Sequence, residues 1–115
     1  MPGPSDRAMG NVALEMTLQQ SLTPPNVPAN STVLQTYTLN GVQVNDVIEY
    51  NQQSHVAGLL VGNMWVSAAN TISVQYTNVT VAAINGTPAQ NYVLTVTRAN
   101  PLLTAGGYSL PTAIV

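Results

Sequence analysis

The sequence predicts an all-β fold, a β-sandwich or a jelly-roll-like barrel of short antiparallel strands. In the segment 58–80, the apolar residues Ile72, Val74 and Tyr76 alternate with hydroxyl and amide side chains, and this period of two residues is typical of a strand with one buried face. Turn-forming residues recur about every 8 to 12 residues between short runs of this kind. No segment shows a convincing helical period.

The first half of the chain continues the same pattern. Residues 12–18 alternate apolar and other side chains, which favours a strand over a helix because a helix would spread the apolar residues over several faces. Residues 23–28 contain three prolines, and proline fixes φ and disfavours helix in the residue before it, so this segment is predicted to be extended. Val33, Tyr37 and Leu39 then share one face of a further strand.

Three pairs of residues predict the turns. Asn40-Gly41 predicts a tight hairpin, because both residues tolerate positive φ. Asn45-Asp46 predicts a turn that leads into a strand at residues 47–50. Asn85-Gly86 interrupts the chain before a last strand that carries Tyr92, Leu94 and Val96 on one face.

A chain of 115 residues has room for one domain. Proline and glycine are concentrated at both ends. We therefore predict a flexible N-terminal arm at residues 1–10, a β-sandwich domain at residues 11–98 and a C-terminal tail at residues 99–115. The apolar residues of the tail suggest that it docks on some surface, of this chain or of a partner; they are Leu102, Leu103, Leu110, Ile114 and Val115.

Charged residues make up only 5% of the chain, against about 25% in an ordinary domain. Amides and hydroxyls supply its polarity, and they can be buried against a partner more cheaply than ions. A surface with so few charges is poorly protected against association, which predicts an oligomer or a lattice. The alternative is a monomer that amides and hydroxyls keep soluble.

Several partners and compartments are disfavoured. The net charge of −2, with Arg7 and Arg98 as the only Lys or Arg, argues against a nucleic acid partner. No apolar run approaches the roughly 20 residues of a membrane span. The first residues do not resemble a secretory signal, and the absence of cysteine excludes disulfide and thiolate chemistry.

No catalytic, cofactor-binding or metal-binding residues are predicted, and the protein is not expected to be an enzyme. The only histidine, His55, lies in a polar stretch and is predicted to be a solvated loop residue. Asp46 and Glu49 are predicted to point to opposite faces of a strand, which is poor geometry for an acid–base pair. Asp46 is better explained as a turn residue that caps its own backbone.

Two further features have a structural and a functional interpretation. Asn30, Asn78 and Asn85 each begin an Asn-x-Thr/Ser sequence of the kind that accepts N-glycans, but such matches arise by chance in a chain rich in Asn and Thr. Trp65 is either a cap on one end of the core, which we favour, or an exposed anchor for a partner.

Between Leu18 and Arg98 the chain resembles a family of small structural proteins from tailed-phage virions. The resemblance lies in TPPNVPANSTVLQTYTLNGVQVNDVIEY, in GLLVGNMWVSAANTISVQYTNVTVAAI and in the closing NYVLTVTR, with VSAANT and YTNVT its most specific parts. Asn45 stands where the pattern tends to have glycine, and the loop at residues 52–55 replaces one that contains proline. Both departures fall in loops.

The resemblance implies a capsid decoration, or cement, protein on the outside of the phage head, made in the host cytoplasm. It implies non-covalent binding to the major capsid protein and to itself, as a homotrimer. Two alternatives share the composition and fold: a tail or head-fibre component of the virion, and a carbohydrate-binding or adhesin module. For the last, the aromatic residues left for a glycan are Tyr50, Trp65 and Tyr108.

Overall fold

The computed structural model describes residues 12–99, and these residues form two three-stranded antiparallel sheets without a helix. The strands are β1 (Val12–Leu22), β2 (Thr32–Thr38), β3 (Val47–Gln52), β4 (Leu59–Ala68), β5 (Thr71–Asn78) and β6 (Gln90–Ala99). Sheet I has the order β1-β6-β3 and sheet II the order β2-β5-β4. The predicted all-β fold is confirmed. The predicted arm at 1–10 and, apart from Ala99, the predicted tail at 99–115 lie outside the described residues.

The core lies between the two sheets, and the alternation of β5 builds its centre as predicted. Ile72, Val74 and Tyr76 are buried at 0–1% exposure and face sheet I. From sheet I, Tyr92 and Leu94 of β6 meet them, both at 0%. The central strand of each sheet therefore contributes most of the fully buried apolar side chains, and Val27, in the loop between β1 and β2, is also 0% exposed.

Three tyrosines share this core, as the alternation predicted. The Tyr37 hydroxyl donates to the Thr23 carbonyl oxygen at 2.6 Å and lies 2.9 Å from the Tyr76 hydroxyl. Because Tyr37 has a single proton and gives it to Thr23, Tyr76 donates to Tyr37. Burial raises the pKa of Tyr37, Tyr76 and Tyr92.

The hairpin predicted at Asn40-Gly41 is wrong, although the turn itself is present. Gly41 has a φ of +97°, but β2 and β3 belong to different sheets and do not pair. Leu39 and Val42 on either side of the turn are each 4% exposed, and their burial draws the chain across from sheet II to sheet I. The β4–β5 connection is the hairpin instead, with Asn70 at a φ of +59°.

The turn at Asn45-Asp46 is confirmed, and Asp46 caps it as predicted. The backbone N–H of Gln43 donates to Oδ2 of Asp46 at 2.9 Å. Sequence reasoning missed a second role of this carboxylate, which pairs with Arg98 at the end of β6. Nε of Arg98 donates to Oδ1 at 2.9 Å and Nη2 to Oδ2 at 2.8 Å, while Nη2 also donates to the Gly41 carbonyl oxygen at 2.8 Å.

This ion pair makes stability depend on pH. The hydrogen bonds from Arg98 are the main cause that lowers the pKa of Asp46 below its ordinary value of about 3.9. A lowered pKa in the folded state gives a stabilisation that is present above the ordinary pKa and is lost as the pH falls through the folded value.

We therefore expect acidification from pH 5 to pH 2 to lower the melting temperature of the wild type more than that of Asp46→Asn. At pH 7, Asp46→Asn should cost about 2 kcal/mol, as for a charge-assisted hydrogen bond. Thermal unfolding followed by circular dichroism measures both effects. Arg98→Gln, which removes the partner, should reduce the acid dependence in the same way. An equal fall in all three proteins would contradict this role of the pair.

Asn78, at the end of β5, is 1% exposed and fastens the segment 79–84 onto the fold. Its Nδ2 donates to the carbonyl oxygens of Val27 at 3.1 Å and Ala82 at 2.8 Å. Its Oδ1 accepts from the backbone N–H of Thr80 at 2.9 Å and from the Thr80 hydroxyl at 2.7 Å. The Asn-x-Thr sequence at this position is thus explained by a buried hydrogen-bond network, and its amide is inaccessible to a glycan.

Gly58, before β4, occupies a position that only glycine fits. Its φ is +78°, and a Cβ atom there would overlap Cγ2 of Thr80. Thr80 cannot easily turn away, because its hydroxyl lies 2.7 Å from Oδ1 of Asn78 and 2.8 Å from the Ala82 carbonyl oxygen and shares its single proton between these two acceptors. Both the backbone conformation and the crowding therefore disfavour a side chain at this position.

We expect Gly58→Ala to lower the free energy of unfolding by about 2 kcal/mol, as measured by urea denaturation. Gly86 is the matched control, since its φ is also positive, at +64°, but no atom lies within 4 Å of a Cβ placed there. Gly86→Ala should therefore cost only about 1 kcal/mol, for the backbone alone. Equal losses in the two variants would show that Thr80 moves aside.

Candidate interaction surface

The outward side of sheet II carries no charged side chain, and we call it the uncharged face. Its side chains alternate with those that enter the core. It consists of Thr32, Leu34, Thr36, Thr38, Leu60, Asn63, Trp65, Ser67, Thr71, Ser73, Gln75 and Thr77. Hydroxyls, amides and a few large apolar groups therefore make up the whole of this surface.

Hydroxyls on this face bind one another across neighbouring strands. Oγ1 of Thr32 lies 3.2 Å from Oγ1 of Thr77, and the Ser73 hydroxyl donates to that of Ser67 at 2.8 Å. Ser73 is only 5% exposed because it lies on the central strand between filled neighbours. Part of the polarity of the face is thus satisfied within the sheet, and a partner that covers the face would need to bind the remaining hydroxyls and amides.

Leu34 and Leu60 stand out from the face on its two outer strands, at 60% and 54% exposure. Trp65 lies on β4 opposite Ser73 and is half-buried. Its neighbours Met64 and Val66 enter the core, so the favoured interpretation of Trp65 as a core cap is wrong. The alternation of β4 directs the indole outward. In this position it could serve as an anchor for a partner.

The charges of the described residues are concentrated elsewhere. Asp46 and Arg98 neutralise each other at one end of the domain. Glu15 of β1 and Glu49 of β3 alternate with inward residues and lie on the outer face of sheet I, on the same side of the sheet. The two outer faces therefore differ: that of sheet I carries two carboxylates and that of sheet II none.

The free edge of sheet II at β2 extends the uncharged face. β2 pairs with β5 in continuous register from Thr32 to Thr38, whereas the register of β4 shifts twice, between Val61 and Asn63 and again between Val66 and Ala68. Bulges and charges are the usual protection of an edge against pairing with another chain, and β2 has neither. Among residues 12–99, no other strand pairs with this edge of β2, so its backbone could bind a partner.

Other kinds of site find little support within residues 12–99. His55 is exposed in the loop between β3 and β4, as predicted. No group of three His, Asp or Glu side chains in this range could hold a metal ion. The same part of the chain contains no helix long and apolar enough to cross a membrane.

The aromatic residues considered for a glycan do not form a platform in the described part of the chain. The Tyr50 hydroxyl donates to the Val61 carbonyl oxygen at 3.2 Å and joins β3 to β4. Trp65 lies on the uncharged face, and Tyr108 is outside the described residues.

Comparison of the chain with known protein families, with curated proteins and with solved structures found no match.

Sequence reasoning predicted a charge-poor surface but not its location. The signal was present in the alternation of β5, whose outward residues Thr71, Ser73, Gln75 and Thr77 are all uncharged. What the pattern could not supply is that β2 and β4 flank β5. That pairing joins three uncharged strands into one continuous surface.

Proposed function

We propose that the protein is a structural component of a tailed-phage virion that decorates and cements the outer surface of the capsid through non-covalent contacts. The observation that carries this proposal is the uncharged face, where Leu34 and Leu60 are exposed and Trp65 is half-buried among hydroxyls and amides. The resemblance of residues 18–98 to small virion proteins supplies the class of structure to which the surface would bind.

The composition of the uncharged face suits burial against another protein. Charged side chains are depleted at the centre of protein interfaces, whereas tryptophan is enriched there. An amide or hydroxyl surface can be covered without the desolvation penalty of ions. Each such contact contributes only a modest binding energy, but the contacts are repeated many times over a symmetric shell. This repetition can stabilise the capsid without any residue that reacts chemically.

The outer face of sheet I suits exposure to solvent rather than contact with the capsid. Glu15 and Glu49 favour contact with water, so this face would point away from the shell. We place the major capsid protein, and neighbouring copies in a homotrimer, against the uncharged face and the β2 edge. The protein would then be made in the host cytoplasm and reside on the exterior of the capsid.

Quantitative mass spectrometry of purified particles, with heads and tails separated, tests the proposal. We expect a copy number close to that of the major capsid protein in the head fraction. A few copies confined to the tail fraction would assign the protein to the tail instead. Absence from both fractions would overturn the virion proposal.

A further inference from the structure

Within residues 12–99 the sandwich is open along one side, where the two edge strands β1 and β2 do not pair. On the opposite side, β3 and β4 are joined by the hydrogen bond from Tyr50 to Val61. On the open side lies a groove of about 260 Å³. Its apolar lining consists of Leu14, Met16 and Leu18 from β1, Leu39 and Val42 from the turn after β2, and Val96 from β6.

Residues of β1 that point into the sandwich are left uncovered at this groove. Met16 pairs with Val96 and shares its side of the sheet, but it is 55% exposed while Val96 is 4% exposed. Farther along the same strand and on the same side, Leu22 is 4% exposed. The inward apolar side chains of β1 are therefore covered at the end of the strand near Leu22 but remain exposed near Met16.

The groove does not have the features of a small-molecule site. Such sites commonly measure about 300–1,000 Å³ and hold a few polar groups that converge on the ligand. The charged group at this groove, the guanidinium of Arg98, already binds Asp46 and the Gly41 carbonyl oxygen. What remains is an apolar surface that suits one or two aliphatic side chains.

The chain itself supplies such side chains at the mouth of the groove. β6 ends at Ala99, directly opposite Val12 in the register, and the preceding residue Arg98 lines the groove. The sequence continues Asn100-Pro101-Leu102-Leu103, and residues 100–115 contain no charged residue. The other segment outside the structure, residues 1–11, carries Asp6 and Arg7 and no Leu, Ile or Val before residue 12.

The reach of this segment is sufficient. Four residues lead from Ala99 to Leu103 and span up to about 14 Å when extended, and Met16 lies four positions, or about 13 Å, along β1 from Val12, the partner of Ala99. The short tether gives its own chain a far higher effective concentration at the groove than another copy has.

We propose that the groove between β1 and the turn at residues 39–42 is the docking site for the C-terminal segment of the same chain, with Leu102 and Leu103 against Met16. The two leucines would cover the exposed side chain of Met16. The inference rests on the fold and on the sequence after Ala99, and it is independent of the proposed function.

Disulfide trapping tests the proposal cleanly, because the chain has no cysteine of its own. In the Met16→Cys/Leu103→Cys variant, mild oxidation should produce a disulfide within one chain in more than half of the molecules. The undigested product should have the mass of a monomer. Trypsin cleaves after Arg98, so under non-reducing conditions the segment that begins at Ala99 should stay attached to the rest.

The matched control is Leu34→Cys/Leu103→Cys, whose first position lies on the uncharged face and should form little disulfide within the chain. Equal trapping in the two variants, or trapping only between two chains, would overturn the proposal.

A second measurement avoids new cysteines. In protein labelled with ¹³C at the methionine methyl groups, ending the chain at Ala99 should shift the NMR signal of Met16 and leave that of Met64 in place. Met64 serves as the internal control because it is 4% exposed in the core and does not line the groove. An unchanged Met16 signal in the shortened chain would overturn the docking of the segment in this groove.

Discussion

Replacement of Asn78 by alanine should lower the free energy of unfolding by about 3 kcal/mol. The side chain makes four hydrogen bonds while it is 1% exposed, and alanine removes all of them together. It also leaves the backbone N–H of Thr80 without the oxygen that it binds, in a cavity where the amide had been. A loss of this size corresponds to a fall of at least roughly 10 °C in melting temperature, which scanning calorimetry measures.

Asn85→Ala is the matched control for this variant. Asn85 also begins an Asn-x-Thr sequence, but it is exposed. Its replacement should change the free energy of unfolding by no more than about 0.5 kcal/mol. A similar small effect at Asn78 would mean that its hydrogen bonds contribute little net stability and that the segment 79–84 is held by other contacts.

A charge placed on the uncharged face should strongly weaken attachment to the capsid. Leu34 is 60% exposed, so Leu34→Asp should fold normally. In a covered interface, however, the carboxylate would have no partner, which we expect to reduce affinity roughly 100-fold, or about 2.7 kcal/mol. Co-sedimentation of the purified protein with capsids that lack it measures this affinity.

Val47→Asp provides the control on the other sheet. Val47 is 57% exposed and lies on the outer face of sheet I, beside Thr97. This variant should bind capsids as the wild type does, with an unchanged melting temperature. If Leu34→Asp and the wild type bound equally, the contact with the shell would lie away from the uncharged face.

The alternation of residues was enough to predict strands, their buried sides and most turns. Ile72, Val74 and Tyr76 are buried as predicted, and Asp46 caps its turn as predicted. These features depend on neighbours in the sequence. The hairpin at Asn40-Gly41 was wrong because the partner of a strand is decided by contacts distant in sequence, here the burial of Leu39 and Val42 between the sheets.

For the candidate surface, too, local sequence patterns predicted some features, whereas features that depend on contacts distant in sequence were missed. That few charges are present can be read from composition, but their position depends on which strands are neighbours. Trp65 was misassigned because its direction depends on the register of β4, with bulges on both sides of the stretch 64–66 that no local signal marks. The role of Asn78 was hidden for a similar reason, since its partners Val27 and Ala82 come from separate loops.

Cryo-electron microscopy of the phage head is the most direct test of a decoration protein. We expect repeated density for the two-sheet domain on the outside of the shell, with the uncharged face covered by capsid protein or by a neighbouring copy. We also expect the outer face of sheet I, with Glu15 and Glu49, to point to solvent. A shell without this density, or domains whose uncharged face is turned to water, would contradict the proposed function.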